Sequence, residues 1–433
     1  MSVLHITGGA PLRGELTIPG SKNAALAILS SVLLAQGQVV LHGVPKVSDV
    51  ETKIHLLENF GAKVSWHEGS LFIDCRDLHY WEPDEAHVRP IRTSFYLLGP
   101  LLARLGKARL PMPGGCKIGA RPVDFHLKGL ASLGAKIELV GGCYVAEAPT
   151  MEGSEIYLDF PSAGATQHLM ATACLAKGVT TIHFAATEPE VITLAGFLQA
   201  MGARIEGVGT ATITIYGVDR LDGCEYSVPA DRIQAGTYLL AGAITGGDIT
   251  ARNILPETQT ALVNKIREAG GMAEEGSDWV RVWTEGPMHG IRVKTMPYPG
   301  FPTDIQQPMA AMLALANGPS VVEETIYESR TGHIQELVRM GAKMRPEGRA
   351  TVIDGVESLR GAVVEASDLR AGAALVIAGL AAKGETTVTN VHFIDRGYED
   401  LEGHIRKLGG TIERIPIAEW EGKANSSREQ IES

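Results

Sequence analysis

IHLLENFGAKV, residues 54–64, is a short apolar-patterned run that closes on Gly-Ala-Lys, and its reading decides the fold. Ile54, Leu57 and Phe60, with Val50 just upstream, fall on one helix face. Gly61 then supplies the left-handed residue that ends a helix. The pattern returns as LKGLASLGAKI (127–137), LAGFLQAMGARI (194–205), VNKIREAGGMA (263–273), IQELVRMGAKM (334–344) and HIRKLGGTIE (404–413). Its glycines, Gly61, Gly134, Gly202, Gly270, Gly341 and Gly409, are separated by 73, 68, 68, 71 and 68 residues on subtraction. A second helical segment precedes each copy, ending LLAQG, LARLG, LAKG, ITGG, LANG or AAKG, and a β-like run such as QVVLHGV, VTTIHFA or ETTVTNV follows that segment. The units open alike, with a short strand and a loop of small polar residues leading into a helix: ELTIPGSKN, VRPIRTSF, IYLDFPSAGAT, YSVPADRIQAGT, IRVKTMPYPGFPTDIQ and VVEASDLRAG.

Units of about 70 residues are too large for a solenoid repeat and suit βαβ crossovers. Three of them, roughly 210 residues, make a domain of ordinary size. The sequence therefore predicts an α/β protein of two similar domains, each of three repeated βαβα units. Residues 22–229 form the first domain, which carries the Cys116 loop. Residues 1–21 and 230–418 form the second, and 419–433 a polar, disordered tail. The sixth unit stops at GTIERI without the closing strand seen in KVSWHEGSLFIDC, so the N-terminal strand VLHITGG is expected to take that place. Equivalent helices point the same way, and their unpaired N–H groups bind anions. The expected ligand is a heavily anionic small molecule in a cleft.

The 50 glycines in 433 residues are well above the usual roughly 7%. No low-complexity tract explains them, so they are expected in many separate turns. A net charge of −11 argues against nucleic acid or an anionic membrane as partner. Cys75, Cys116, Cys143, Cys174 and Cys224 are odd in number, widely spaced and free of CxxC, which indicates neither a disulfide framework nor a zinc site. MSVLHITGGAP lacks the basic and apolar regions of a signal peptide, and AALAILSSVLLA (24–35) is too short to span a bilayer. The expected location is the cytoplasm. No phosphate-loop, zinc-protease, nucleophile-elbow or dinucleotide fingerprint occurs, and neither metal nor cofactor is indicated.

The unit openings hold the charged residues that break the repeat. PGSKN puts Lys22 and Asn23 in a first helical turn, where a lysine opposes the helix dipole unless an anionic ligand supplies the missing charge. Arg92, Arg121, Arg330, Arg370 and Arg396, with Asp124, Asp368 and Asp395, recur at loop positions. Each alone reads as a surface ion pair; together they read as forks for phosphate and carboxylate. In PMPGGCKIGARPVDFH (111–126), Cys116 lies beside Lys117 and Arg121, cations that lower a thiol pKa and suit it to donate a proton. The other four cysteines read as structural. Asp304, in the stiff PYPGFPTDIQ, reads either as a helix cap or as a general base for a hydroxyl. His126 and His333 are the histidines nearest these motifs.

With GSKNAAL, LGPLLARLG, PGGCKIGARPVD, PYPGFPTDIQ, RMGAK, SDLRA and FIDRGYE in place, the chain resembles the enolpyruvyl transferases from about residue 6 to 415. The resemblance implies two inside-out α/β domains joined by a hinge. It also implies transfer of the enolpyruvyl group of phosphoenolpyruvate to the 3-hydroxyl of UDP-N-acetylglucosamine, releasing phosphate, in peptidoglycan precursor synthesis. On that likeness Cys116 is the proton donor and the target of fosfomycin, and Asp304 the base. Lys22, Asn23, Arg121 and Arg396 hold phosphoenolpyruvate. Arg92, Arg121, Pro122, Val123, Asp124, Phe125, Ser162, Ala163, Gly164, Asp304 and Ile326 contact the nucleotide sugar, and Arg330, Asp368 and Arg370 complete the site. Two stretches depart from the family pattern: Phe160-Pro161 stands where Lys-Val is usual, and Thr331-Gly332 where Phe-Met is. A transferase for another sugar nucleotide or for shikimate 3-phosphate, and a non-catalytic anion-binding scaffold, remain as alternatives.

Overall fold

A computed structural model describes residues 2–79, 82–83, 88, 91–112 and 123–422. Among these, the chain divides into two compact units. One comprises the residues up to Ile18 and those from Arg232 on; the other runs from Pro19 to Asp231.

Each unit is built from the repeated pattern, turned inside out. The first helix of a repeat is made of small and apolar residues on every side, as in Arg232–Ile244 (RIQAGTYLLAGAI) and Leu369–Ala381 (LRAGAALVIAGLA). A helix of that composition is stable only when surrounded. In the unit that begins at Arg232, these two and Gln306–Leu313 are buried almost throughout and pack on one another. In the other unit, Lys22–Ser31 and Ala163–Ala173 are buried in the same way. Several glycines serve this packing rather than turns: a Cβ on Gly372 would stand 2.6 Å from Cγ1 of Ile394. The six glycines that close the second helices do adopt the left-handed conformation, with φ between 87° and 106°.

The sheets lie outside the helices and share one plan. An opening strand runs parallel to the strand after the first helix, and that strand pairs antiparallel with the second strand of a hairpin, whose first strand forms the edge. Arg292–Lys294 beside Pro319–Glu323, Ala350–Asp354 and Lys343–Glu347 is one example, with Val293 opposite Val322 and Val322 opposite Thr351. In the sheet of the sixth repeat, Ser2–Thr7 lies between Glu385–Thr389 and Thr411–Pro416, antiparallel to both. It occupies the place that a hairpin strand fills elsewhere.

One feature follows from the expected domain bounds, and two differ from the sequence reading. Two openings are split between units: Arg13–Thr17 pairs with Asp248–Arg252, whereas Glu225–Ser227 pairs with Gln38–His42. Each of these strands joins a sheet that does not follow its own helix. The VRPIRTSF opening shows no described strand; Arg92–Leu97 is a 3-10 turn, and the sheet of Lys107–Pro111, Cys143–Glu147 and Lys136–Val140 has three strands among the described residues. Residues 417–422, which include the first four residues of the expected disordered tail, are helical, in keeping with the helix-forming Ala418, Glu419 and Glu421.

Candidate active site

In the unit from Pro19 to Asp231, Lys22 and Asn23 begin the helix Lys22–Ser31, with Ser21 as its cap. The Lys22 N–H donates to Oδ2 of Asp231 at 3.1 Å, and Lys22 Nζ lies 3.3 Å from Oδ2 of Asp49. Both side chains of the Lys22–Asp49 pair are close to buried. The charge that a lysine at a helix N-terminus lacks is therefore supplied from within, by two carboxylates that sequence reading passed over. Asp49 reads as an acid in a helix's first turn, and Asp231 as one more loop residue. Lys53, one helical turn beyond Asp49, is fully buried. Its Nζ donates to Ser30 Oγ at 2.9 Å and to the Thr93 carbonyl at 2.6 Å. Burial holds this ammonium well below its ordinary pKa, against the opposing pull of Asp49. Lys53 thus ties the Lys22 helix to the turn that begins at Arg92.

That turn, the helix Asp124–Ser132 and the helix Ala163–Ala173 meet at an aromatic cluster. Tyr96 stacks on His126 and His168, with centroids 5.6 and 5.9 Å apart, and Phe95 meets both histidines edge-on. The Gly99 N–H donates to His168 Nε2 at 2.8 Å, so the His168 proton sits on Nδ1 and is donated across 2.9 Å to Nδ1 of His126. Burial pushes His126 down to about 3 and His168 well below its usual value, so both rings are neutral. Around this cluster are Arg92, half-buried at the start of its turn, and Val123, Asp124 and Phe125 at their helix start. Ser162 is there too, capping Ala165 N at 3.3 Å, with Ala163 and Gly164 in the first turn. A Cβ on Gly164 would stand 2.2 Å from the Tyr96 hydroxyl, so only glycine allows this approach. Residues expected to contact a nucleotide sugar thus gather in one neighbourhood. Cys116, Arg121 and Pro122 lie outside the described residues. Cys75, Cys143 and Cys174 are buried and Cys224 is half-buried; desolvation pushes the Cys75 and Cys174 thiols up to about 12.

In the other unit, Asp304 is not a helix cap. It sits inside the 3-10 turn Thr303–Ile305, and the helix that follows has Ile305 at its cap position with no side-chain bond. Its carboxylate instead lies between two guanidiniums: Arg330 Nη1 is 2.9 Å from Oδ1, and Arg370 Nη2 is 3.2 Å from Oδ2. The arginine side chains are only 5% and 2% exposed, whereas that of Asp304 keeps 24%, so the carboxylate is reachable and its partners are not. Arg370 Nη1 also donates to the Tyr398 hydroxyl at 3.1 Å, which in turn donates to Thr237 Oγ1 at 2.9 Å. Asp368 caps Leu369–Ala381 through the N–H groups of Arg370 and Ala371, which holds the root of Arg370. Ile326 follows the strand Pro319–Glu323, and its N–H donates to Glu324 Oε1. Arg396 is half-buried at the end of the turn Val391–Arg396, which Asp395 ties to Arg414 at 2.7 Å.

His333 has no solvent exposure, and neither ring nitrogen has a hydrogen-bond partner among the described residues. Burial lowers its pKa to about 4, which makes it a core residue and not a proton shuttle. Its folded pKa lies below the unfolded value near 6.5, so its contribution to stability is complete above pH 6.5 and is lost between pH 6.5 and 4. At pH 5 that loss amounts to about 2 kcal/mol. His333→Leu is expected to flatten this part of the stability profile, read as the change in urea midpoint between pH 7 and pH 5. An acid slope equal to that of the parent protein would contradict the assignment.

Among the described residues no group of three or more His, Cys, Asp or Glu side chains is placed to hold a metal ion, and no helix is long and apolar enough to cross a membrane. Residues 6–405 match the family model for EPSP synthase (3-phosphoshikimate 1-carboxyvinyltransferase). The chain belongs to the enolpyruvyl transferases. Within this family it is 49% identical to UDP-N-acetylglucosamine 1-carboxyvinyltransferase 2 of Carboxydothermus hydrogenoformans, over 96% of this chain and 100% of the relative. It is 47% identical to UDP-N-acetylglucosamine 1-carboxyvinyltransferase 3 of Caldanaerobacter subterraneus subsp. tengcongensis, with the same coverage. The fold is that of the enolpyruvyl transferase NikO from Streptomyces tendae (TM-score 0.87, 24% identity, covering 96% of this chain and 99% of the other). It is also that of EPSP synthase from Acinetobacter baumannii (TM-score 0.74, 20% identity, 96% and 100%). Both likenesses agree with the inside-out repeats of this enolpyruvyl transferase.

Proposed function

We propose that the protein transfers the enolpyruvyl group of phosphoenolpyruvate to the 3-hydroxyl of UDP-N-acetylglucosamine and releases phosphate, the first committed step of peptidoglycan precursor synthesis. The observation that carries this reading is sequence identity of 45–49% with UDP-N-acetylglucosamine 1-carboxyvinyltransferases, over at least 95% of this chain. Its proposed place of action is the cytoplasm.

The chemistry assigns each residue a task. The Cys116 thiol protonates the methylene carbon of phosphoenolpyruvate, and the adjacent carbon becomes a cation stabilised by its oxygen. The sugar 3-oxygen bonds to that carbon while Asp304 takes the hydroxyl proton. The methyl group then returns a proton to the Cys116 thiolate as the C–O bond to phosphate breaks with its electron pair on the departing phosphate, which restores the double bond in the product and the thiol. A hydroxyl grows acidic as it bonds to a cation, so an ionised carboxylate flanked by guanidiniums is base enough. Arg330 and Arg370, as its ion-pair partners, aim the Asp304 carboxylate. Lys22, Arg121 and Arg396, with Asn23, hold the phosphate and carboxylate of phosphoenolpyruvate, where fixed positive charge favours departure of phosphate.

A second acceptor is favoured by one observation: Phe160, 39% exposed beside the Ser162 cap, stands where the family pattern has a lysine. Phosphate release with phosphoenolpyruvate and each of UDP-N-acetylglucosamine, UDP-glucose and shikimate 3-phosphate decides between them. Release with UDP-N-acetylglucosamine at least 100-fold faster than with either alternative is expected. Preference for another acceptor would overturn the assignment, and release with none would favour the scaffold reading.

A further inference from the structure

We propose that Glu324 is a positioning residue whose one carboxylate sets both the general base and a nucleotide-sugar contact, an inference that rests on the roles given above to Asp304 and Ile326. Glu324 is only 5% exposed, just past the strand Pro319–Glu323. Its Oε1 accepts from the N–H groups of Ile326 and Tyr327 at 2.8 and 3.0 Å, and from Thr295 Oγ1 at 2.9 Å. Its Oε2 accepts from Thr303 Oγ1 at 2.8 Å. Thr303 Oγ1 also receives Arg330 Nη1 at 2.7 Å. A guanidinium can only donate, so the Thr303 hydroxyl must give its own proton to Glu324. The same Arg330 nitrogen stands 2.9 Å from Asp304 Oδ1. A chain of fixed polarity therefore runs from Glu324 through Thr303 and Arg330 to Asp304. From its other oxygen the same carboxylate holds the turn that carries Ile326.

Thr295 makes the arrangement rigid. The Thr325 N–H donates to Thr295 Oγ1 at 2.8 Å, and Thr325 Oγ1 donates to the Thr295 carbonyl at 2.6 Å. Thr295 Oγ1 therefore has its proton free to face Glu324. Among the described residues every donor to the carboxylate is neutral, and Thr303, Ile326 and Tyr327 each are or adjoin a proposed substrate contact. An amide at position 324 has nearly the same shape but the wrong polarity. Its NH2 would face Thr303 Oγ1, which already accepts from Arg330, and the hydroxyl proton would lose its acceptor.

The two arms of the carboxylate separate kinetically. Glu324→Gln is expected to lower kcat by about 10- to 100-fold and to raise KM for UDP-N-acetylglucosamine several-fold, because both arms are disturbed. Thr303→Val cuts only the arm to Asp304: kcat falls by a similar factor while that KM stays within about twofold. Thr303→Ser, which keeps the hydroxyl, is expected to restore kcat to within about threefold of the parent value. A merely structural role would not split KM from kcat, nor be rescued by serine. Parent-like constants in Glu324→Gln would overturn the proposal, as would a Thr303→Val defect that serine does not repair. If Glu324→Gln fails to fold, the Thr303 pair alone decides. Asp304→Asn in the same assay separates the two claims. Full activity in that variant removes the base assignment itself. An inactive Asp304→Asn beside parent-like Glu324→Gln and Thr303→Val removes only the role of Glu324.

Discussion

Asp304→Asn is expected to lower kcat by about a thousandfold, equivalent to about 4 kcal/mol in the barrier, while binding of UDP-N-acetylglucosamine changes little. The amide keeps the size of the side chain but not its charge. It cannot take the hydroxyl proton, and it leaves the buried Arg330 and Arg370 without the carboxylate they share at 2.9 and 3.2 Å. The second effect costs stability, about 3–5 kcal/mol where one member of a buried pair is removed. The two effects are distinguishable: the urea midpoint reports the loss of pairing, and kcat measured well below that midpoint reports the loss of the base. A stable Asp304→Asn protein with kcat within tenfold of the parent would show that another group accepts the proton.

Removal of residues 2–9 is expected to unfold the unit that contains Arg232 onward. Ser2–Thr7 is an inner strand of its sheet, and Val3, Leu4 and Ile6 have no exposure at all. Their burial is worth about 1.5–3 kcal/mol each, roughly 5–9 kcal/mol together. That approaches the entire stability of an ordinary domain, about 5–15 kcal/mol. It also opens the unpaired edges of Glu385–Thr389 and Thr411–Pro416, which invites association. Urea unfolding of the truncated protein should retain only the transition of the unit from Pro19 to Asp231. A profile superimposable on that of the full chain would mean that the N-terminal strand is dispensable.

The repeat was legible because each copy carries its own physical mark. A helix that closes into a tight turn needs a left-handed residue, and all six glycines adopt that conformation. Helices such as RIQAGTYLLAGAI announce by composition that no face meets water. The split of two openings between the domains follows from giving residues 1–21 to the second domain, but the partner strand does not: pairing Arg13–Thr17 with Asp248–Arg252 joins segments more than 200 residues apart, and nothing local marks the pair. At the site, Lys22, Asp304, Arg330 and Arg370 stood out as charges interrupting small-residue loops. Their supporting residues did not. Glu324, in VVEETIY, reads as a surface acid, and its burial depends on Thr295 and Thr303, which only the sheet and the proline-rich loop bring to it. His168 lies in an apolar helix, and its tie to His126 crosses 42 positions. Asp304 was misleading in the opposite way: its place before a helix suggests a cap, yet two guanidiniums compete successfully for the carboxylate.

The proposed reaction forms a carbon–oxygen bond between the second carbon of phosphoenolpyruvate and the sugar's 3-oxygen. The most direct test is an NMR spectrum of the product made from UDP-N-acetylglucosamine and phosphoenolpyruvate labelled with carbon-13 at its second carbon. The proposed reaction requires a three-bond coupling from the labelled carbon to the sugar H3, a retained pair of vinyl protons and one phosphate released per ether formed. Phosphate release without that coupling, or coupling to a proton at another sugar position, would contradict it.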